Sequence, residues 1–488
     1  MLEKFRSTRF DPDQFKGQFI LTAERRNIPE NWSVYEYKSW RLFTLSLHVI
    51  DVFDQDKKWL GWCIGHPIVD GILHPKNIIL KCPGKFFDIF SVNDFYNRAA
   101  GKWILFLVNE EIQKTFLDPY ASLSMVFSTV EKTLASTTTL LGDGYKWNEE
   151  LIKALGLPQN NSWVPAGLTT RINIRRLLPN HTLSLSDWKI SRHWPGTNTD
   201  LSEDFNTIDS IKTISKSIQS NIGAVCKAYP VTFSLTAGRD SRMLLACARN
   251  YLSNATFFTF VSAKDTPDKE ISSLIAKRFN LTHTFLPTEK ASPDELEQWL
   301  KLTGMSVSGS IWKIHKTIKN LDPSRVLLPG MAGEIGRAFY WRPGDSFEKQ
   351  LSAKNLLKRF DLPLHFQLIN AIEDWMSEIT FLNTFSLLDL AYVEQRLGCW
   401  AAPQHYGNTT STFELTMFNT RPIIDSLMRL PSNYRRKQQL ATDICEFAWP
   451  ELLEFPFNEF VGVKGFIFSK GRQMKKLAKE IIHRTIHD

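Results

Sequence analysis

The chain has 488 residues, which is too long for one ordinary hydrophobic core and predicts two or three domains. Its composition, 43% hydrophobic and 23% charged, is typical of soluble globular proteins. No apolar run approaches the roughly 20 residues of a membrane helix, so we expect no membrane partner. The net charge of +8 comes mostly from dispersed basic residues, with one dense run at 464–479. Nucleic acid is therefore not the expected partner, and an acidic small molecule or ordinary solvated lysines fit the charge equally well.

The N-terminus and the cysteines indicate a cytoplasmic protein. Residues 1–17 are charged and lack the apolar core of a signal peptide. The cysteines form no C-x-x-C pair, and no histidine cluster has metal-ligand spacing. We expect buried thiols in a reducing compartment. The six cysteines are Cys63, Cys82, Cys226, Cys247, Cys399 and Cys445.

The first 195 residues form a β-rich region. Short aromatic and β-branched runs, such as RLFTLSLHVIDVF, KNIILKC and KWILFLV, are separated by turn residues. This pattern predicts a sandwich or a layered β-structure over 1–195. A stretch with Pro and Gly at 193–202 then predicts a domain boundary.

From residue 203 onward, predicted helices and strands alternate. FNTIDSIKTISKSIQSNIGAVCKAY predicts a helix, followed by strand YPVTFSL, helix SRMLLACARNYL, strand ATFFTFV, helix KEISSLIAKRFNL and strand THTFLPT. A helix near 309–320 and strand SRVLLPG come next, and the chain beyond 345 is mostly helical. The alternation predicts parallel βαβ units in a second domain, 203–488.

The stretch VTFSLTAGRDSRMLLA, 231–246, predicts a strand that turns into a helix. Backbone N–H groups and the helix dipole at such a turn favour an anion. Thr236 and Ser241 add hydroxyl donors, and Gly238 permits close approach and an unusual φ. Because Asp240 would repel a bare phosphate, its natural use is to hold Mg²⁺. The loop therefore predicts a site for a metal-bound polyphosphate, and a helix N-cap with an incidental Asp is the alternative.

The run TAGRDSR, 236–242, resembles the pyrophosphate loop of the asparagine synthetase family, usually S-G-G-x-D-S-[ST], with Arg242 replacing the final Ser or Thr. The resemblance implies ATP and Mg²⁺ as cofactors, with a substrate carboxylate attacking the α-phosphorus. The nucleotide-binding residues that it implies are Ser234, Thr236, Ala237, Gly238, Arg239, Asp240, Ser241, Glu270 and Gly330.

Two further stretches carry the same resemblance. FFTFV, 257–261, and the Asp268–Lys–Glu270 run are similar to the family's second strand, whose edge receives adenine, and to its D-E pair. Glu270 could equally be an acid at a helix N-terminus. VLLPGMAGEI, 326–335, is similar to V-L-S-G-E-G-S-D-E. There Glu334 takes the place of the family's Asp, and the resemblance implies that Asp240 and Glu334 are the Mg²⁺ ligands.

The stretch LLDLAYVEQRLGCW, 387–400, resembles the family's helix that supplies an acid near the acyl carbon. This places a catalytic role on Glu394, whose alternative is a surface acid on an amphipathic helix. In β-lactam-forming relatives a Tyr or Glu works with that acid, but the matching residue here is Met331, which transfers no proton. Tyr392 or Tyr340 could supply the missing group, or the nucleophile needs none.

The family also uses a late lysine that neutralises charge in the transition state. The resemblance implies Lys464 as the catalytic lysine, with Lys470 as its competitor.

The N-terminal half resembles the family's class II glutaminase domain at GKWILFLV, 101–108, and LDPYASLS, 117–124. That chemistry needs Cys as the first residue after Met removal, because its α-amino group is the base for its own thiol. The second residue here is Leu2, and Cys63 and Cys82 are internal. We therefore expect a degenerate domain without glutamine hydrolysis.

The resemblance spans roughly 100–470. It implies an α/β synthetase domain with a parallel sheet, adenine nucleotide alpha hydrolase-like, beside a β-rich Ntn-type N-terminal domain. The implied activity is an AMP- and PPi-forming carbon–nitrogen ligase that joins a small-molecule or peptide carboxylate to an amine or ammonia. An intramolecular macrolactam or β-lactam-type cyclase and a catalytically inactive nucleotide- or partner-binding homologue remain alternatives. A homo-oligomer or a pathway partner protein is also possible.

Overall fold

The computed structural model describes residues 14–24, 31–81, 89–142, 144–262, 266–309, 316–408 and 413–461. The strands are β1 (Gln18–Thr22), β2 (Ser33–Tyr37), β3 (Trp40–Leu45), β4 (His48–Phe53), β5 (Trp59–Val69), β6 (Ile72–Leu73), β7 (Asn77–Ile79), β8 (Ala99–Val108), β9 (Gln113–Leu117), β10 (Val126–Ser128), β11 (Thr133–Ala135), β12 (Arg175–Arg176), β13 (His181–Ser184), β14 (Ile190–Arg192), β15 (Val231–Ser234), β16 (Ala255–Val261), β17 (His283–Pro287) and β18 (Val326–Leu328).

The α-helices are α1 (Ile89–Arg98), α2 (Thr138–Leu141), α3 (Glu149–Leu155), α4 (Thr207–Ala228), α5 (Arg239–Cys247), α6 (Pro267–Arg278), α7 (Pro293–Leu302), α8 (Ala353–Arg359), α9 (Phe366–Ser377), α10 (Thr384–Ala391), α11 (Ala402–Asn408), α12 (Arg421–Arg429), α13 (Ser432–Arg436) and α14 (Leu440–Ala448). Three 3₁₀ helices lie at Arg249–Asn254, Gly333–Arg337 and Pro450–Glu454, and a π-helix lies at Tyr392–Ala401.

Two largely antiparallel sheets form the first part of the chain. One has the strand order β12-β10-β11-β1-β3-β2, and the other has the order β14-β13-β9-β8-β5-β4-β7, with β6 paired to β5. All ten residues of β8 are buried, which fits its mostly apolar run AAGKWILFLV, interrupted by Lys102, because both faces of the strand are covered. The β-rich pattern predicted for this part of the chain is present, but α1 and α3 were not predicted.

A four-stranded parallel sheet with the order β17-β16-β15-β18 forms the second part, as the alternating pattern predicted. From β15 the chain moves outward to β16 and β17, and then returns to the other side of β15 as β18. The direction of winding therefore reverses between β15 and β18. In open parallel sheets the crevice at the carboxyl ends of such strands is the usual ligand site. The molecule is thus a mixed α/β protein with several sheets, one of them parallel.

Helix α4 illustrates why the predicted helices form. Asn206 caps its N-terminus by accepting a hydrogen bond from the Asp209 amide, and isoleucines at helical spacing form its buried stripe. The chain beyond 345 is mostly helical as predicted. The helix expected near 309–320 falls largely outside the described residues.

The largest buried apolar cluster takes residues from both halves of the chain, for example Tyr120 and Val164 from the first and Phe233 and Leu244 from the second. Polar contacts also cross between the halves, because the Ala166 amide donates to Gln395 Oε1 at 2.7 Å. The division into domains 1–195 and 203–488 remains a proposal. The largest buried cluster is continuous across the predicted boundary.

Four of the cysteines in the described part of the chain are buried, namely Cys63, Cys247, Cys399 and Cys445. Cys226 is only half-buried, so the expectation of uniform burial is wrong there. Across the described ranges, no helix is both long and apolar enough to cross a membrane.

Candidate nucleotide site at the ends of β15 and β18

The loop between β15 and α5 is held by its own hydroxyl groups. Thr236 Oγ1 and Ser241 Oγ are 2.7 Å apart, and Thr236 Oγ1 accepts a hydrogen bond from the Gly238 amide at 3.0 Å. The Ala237 amide donates to Asp268 Oδ1 at 2.8 Å. The first turn of α5 then offers N–H groups that no carbonyl of the helix can accept, which is the usual basis of an anion site.

The unusual φ predicted for Gly238 is wrong. Its φ is −70°, an ordinary value for the residue preceding a helix. What its lack of a side chain provides is space, because a Cβ there would lie 3.0 Å from Thr236 Oγ1.

Two glycines after β18 allow that segment to lie against the loop. A Cβ on Gly330 would be 2.6 Å from the Ser241 nitrogen, and a Cβ on Gly333 would be 2.5 Å from Asp240 Oδ1. The Gly330 amide also donates to Ser234 Oγ at 3.2 Å, which ties the ends of β18 and β15 together. The two stretches singled out in the sequence therefore form one site.

The carboxylates of Asp240 and Glu334 both lie close to the guanidinium of Arg337. The guanidinium of Arg337 bonds Asp240 Oδ2, and its Nη2 lies 3.6 Å from Glu334 Oε1. Asp240 is buried, and burial together with the neighbouring Glu334 carboxylate raises its pKa to about 8, although Arg337 opposes this. Arg337 was missed because nothing in the run GEIGR distinguishes it from a surface arginine.

The two acids fit a Mg²⁺ ion by their chemistry. Asp240 Oδ1 is buried and has no hydrogen-bond partner. Carboxylate oxygens are the ligands that Mg²⁺ prefers, and a second carboxylate, Glu334, lies beside the first. The two predicted metal ligands therefore lie together, and Arg337, which was not predicted, contacts both of them.

A cavity of about 390 Å³ opens beside these loops. One wall is apolar, with Phe258, Phe260 and Leu327 at the strand ends, and another is polar, with Arg396 and Glu334. The Arg396 guanidinium lies 3.5 Å from the centre of the Trp400 ring, on which it stacks. The cavity thus offers both an aromatic surface and a positive charge.

Other polar groups of the cavity include Tyr392, His405 and Glu414. The Tyr392 hydroxyl donates to Glu334 Oε2 at 2.8 Å, and burial and that carboxylate raise the pKa of Tyr392. His405 Nδ1 is hydrogen-bonded to Glu414 Oε1. Pairs of this kind can move a proton at a bound substrate.

Met331 lines the cavity and Tyr340 does not. Tyr340 is buried, with its ring centre 6.2 Å from that of Tyr392. Of the two tyrosines considered as replacements for the missing proton-transfer group, the structure therefore brings Tyr392 to the cavity.

The catalytic role predicted for Glu394 does not fit its surroundings. Its side chain is completely buried in the π-helix, and Arg192 binds both of its carboxylate oxygens at 2.6 and 2.9 Å. Asn180 and the Trp375 indole also donate to it, at 2.9 and 2.6 Å. With four donors engaged, Glu394 joins β14 to the helical region. The sequence could not reveal Arg192 as its partner because 202 residues separate them.

Arg242, which departs from the family pattern, holds the chain's later segment over the loop. It is fully buried and donates to the carbonyl oxygens of Leu452 and Phe455 at 3.0 and 3.1 Å. The Asn458 amide then donates to Ala237 O at 2.9 Å.

Glu270 contacts this same segment rather than the loop. Its Oε2 accepts a hydrogen bond from the Val461 amide at 3.4 Å. Arg239 lies with its guanidinium carbon 5.3 Å from the Phe457 ring centre. Lys464 and Lys470 lie outside the described residues.

The expectation that no histidines cluster at metal spacing is wrong. His48, His66 and His74 converge, with candidate ligand atoms all within 4.8 Å of one another. The sequence concealed this because the three lie on different strands and turns. These residues are distant in sequence from the loop described above and are considered separately below.

No protein-family model matches the chain, and a search of curated proteins finds no match. Among solved structures, the glutamine-dependent NAD⁺ synthetase from Acinetobacter baumannii in complex with ADP is similar at 9% sequence identity and a TM-score of 0.17. The likeness covers 54% of this chain and 57% of that one, so the chain spans little more than half the length of that protein. A likeness this distant carries no inference about activity.

Proposed function

We propose that this chain is an ATP-dependent carbon–nitrogen ligase. It would adenylate a carboxylate, release pyrophosphate and pass the acyl group to an amine or ammonia without hydrolysing glutamine. The strongest support is the position of the carboxylates of Asp240 and Glu334. They lie beside the loop 236–241, at the point where the winding direction of the parallel sheet reverses. Such a point is where parallel α/β sheets bind nucleotides.

The phosphates would lie against the loop. The hydroxyls of Thr236 and Ser241 and the N–H groups of the first turn of α5 are donors for phosphate oxygens. Arg239 and Arg337 contribute positive charge beside them. Donors arranged in advance around a departing pyrophosphate stabilise the charge that develops on it.

Asp240, through its unpartnered Oδ1, and Glu334, through Oε1, would hold Mg²⁺. When bound, the ion would neutralise phosphate charge.

The acyl part of the reaction would take place in the neighbouring cavity. Its aromatic wall at Phe258 and Phe260 suits a planar or apolar group, and Arg396 suits a carboxylate. As the amine nitrogen bonds the acyl carbon and AMP leaves, Tyr392 would take up the amine proton and pass its own to Glu334 Oε2, with which it is hydrogen-bonded.

An inactive nucleotide- or partner-binding homologue is the second candidate. The observation that favours it is Arg337, a permanent cation that bonds Asp240 and lies close to Glu334. An intramolecular cyclase would use the same residues as the ligase and would differ in taking both reacting groups from one molecule.

Nucleotide products measured with the full chain test the ligase proposal. ATP radiolabelled at the α-phosphorus is incubated with Mg²⁺ and a panel of carboxylic acids, with and without amines. We expect AMP and PPi, which Asp240→Asn and Glu334→Gln should abolish while circular dichroism shows both variants folded. ADP as the main product would refute the proposal. ATP binding without turnover of any acid in the panel would favour the inactive homologue.

A further inference from the structure

Three imidazole rings meet in the large, mostly antiparallel sheet, and none of them lines the nucleotide cavity. His48 is the first residue of β4, His66 lies in β5, and His74 follows β6. The register pairs His48 with Gly65, the neighbour of His66 in β5, and the ring centres of His48 and His66 are 5.6 Å apart. The short β5–β6 hairpin then brings His74 back over both.

The rings are close enough for their nitrogens to share one ion. His66 Nδ1 and His74 Nε2 are 2.9 Å apart. Two nitrogens on a tetrahedral zinc ion, each bonded at about 2.0 Å, would be about 3.3 Å apart. The candidate ligand nitrogens of the three residues all lie within 4.8 Å of one another. Because imidazole lone pairs lie in the ring plane, the rings of His48 and His74, which are stacked with centres 3.7 Å apart, would rotate out of the stack to bind the same ion.

The backbone at His74 supports a specific role. Its φ is +52°, in the left-handed region that costs a residue with a side chain of order 1 kcal/mol. The His74 amide donates to Pro67 O at 3.0 Å, which fixes this conformation. A strained residue that presents a potential ligand is typical of functional sites.

The surroundings leave one side of the cluster open. His48 is exposed, whereas the His66 ring is buried and stacks on Phe413 with centres 3.9 Å apart and planes within 5°. Solvent therefore reaches the cluster at His48 and at the half-buried His74. Lys102, the register partner of His66, is a cation beside the cluster, and the carboxylate of Asp118 interacts with it.

We propose that His48, His66 and His74 bind one divalent transition-metal ion of the zinc class, with water at the fourth position. Three imidazole nitrogens without a carboxylate suit zinc, nickel or copper and not Mg²⁺ or Ca²⁺. Three protein ligands with an open fourth position are typical of zinc sites that are accessible to solvent. This site is independent of the proposed ligase activity.

Zinc titration of the full chain, stripped of metal with a chelator, tests the proposal. Zn²⁺ is added in competition with a chromophoric chelator, and Co²⁺ is used in parallel because its visible absorption reports tetrahedral nitrogen coordination. We expect one equivalent of metal per chain. His48→Ala and His74→Asn should each weaken binding by about 100-fold or more, since each removes a ligand. Asn tolerates the left-handed backbone at position 74.

His365→Ala is the matched control, because His365 is a half-buried histidine outside the cluster and should leave metal affinity unchanged. Circular dichroism without metal establishes folding, and the exposed His48 carries the test if His74→Asn does not fold. A wild-type chain that binds no Zn²⁺ would overturn the proposal. So would Zn²⁺ binding that His48→Ala leaves unaltered.

Discussion

Tyr392 is the residue on which proton transfer in the proposed reaction depends. Tyr392→Phe keeps the buried ring but removes the hydroxyl that donates to Glu334 Oε2. Because general acid–base groups contribute about 10²-fold or more, we expect turnover to fall by about that factor while Mg·ATP affinity stays unchanged. Pre-steady-state amide formation and calorimetric ATP binding measure the two effects. An unchanged turnover number would exclude Tyr392 from proton transfer.

Glu394 is expected to act on stability rather than on chemistry. Glu394→Gln removes one of the two carboxylates that bind the buried Arg192 and leaves Glu378, 3.1 Å away, as the other. Because complete loss of a buried partner costs about 3–5 kcal/mol, we expect a smaller loss of stability, of about 2 kcal/mol. Denaturant unfolding should show that loss. A double-mutant cycle with Arg192→Gln should recover part of it. If instead the variant keeps its stability and loses turnover, the catalytic role implied by the family resemblance would be restored.

At the scale of elements, the close approach of the segment after β18 to the first turn of α5 shapes the site. Gly330→Ala would place a methyl group 2.6 Å from the Ser241 backbone nitrogen, which forces the two segments apart. We expect ATP affinity to fall about tenfold or more. Gly344→Ala is the matched control because its Cβ would meet nothing within 4 Å, and it should bind as the wild type does. Equal ATP affinities in the two variants would show that this close contact does not shape the nucleotide site.

The elements that could be predicted are those with strong local signals. The strand, small-residue turn and helix around Asp240 follow from hydrophobic period and turn chemistry, and so does the alternation that forms the parallel sheet. The partners of the site residues could not be predicted. Arg337 reaches Asp240, and Arg192 reaches Glu394, through tertiary packing between residues distant in sequence, which leaves no trace in local spacing. The π-helix that carries Tyr392 likewise has the same periodic pattern as an ordinary helix.

At the scale of the whole molecule, the N-terminal sheets are expected to support the synthetase site without supplying ammonia. Glutamine hydrolysis of this kind needs a reactive cysteine thiolate as its nucleophile. Cys63 is fully buried in β5, and burial raises the pKa of its thiol, which works against a thiolate nucleophile. Incubation with glutamine, with or without ATP, should release no glutamate above background. Glutamate release that Cys63→Ser abolishes would show an active glutaminase.

The two halves of the chain are expected to unfold together because they share a buried apolar cluster and hydrogen bonds. Tyr120 and Phe233 belong to one buried cluster, and Asn419 Nδ2 donates to Asp118 Oδ1 at 2.7 Å across the halves. These contacts join the β-sheets of the first half to the core of the second half. We therefore expect the β-layered half to support the site structurally.

The central claim is that Mg·ATP binds where β15 and β18 end, and calorimetric titration of Mg·ATP into the full chain tests it most directly. We expect one site per chain, with binding that requires Mg²⁺. Asp240→Asn should weaken that binding about tenfold or more, because it removes a charged ligand of the metal. A wild-type chain that shows no binding would contradict the claim. Binding that is independent of Mg²⁺ and unaffected by Asp240→Asn would contradict it as well.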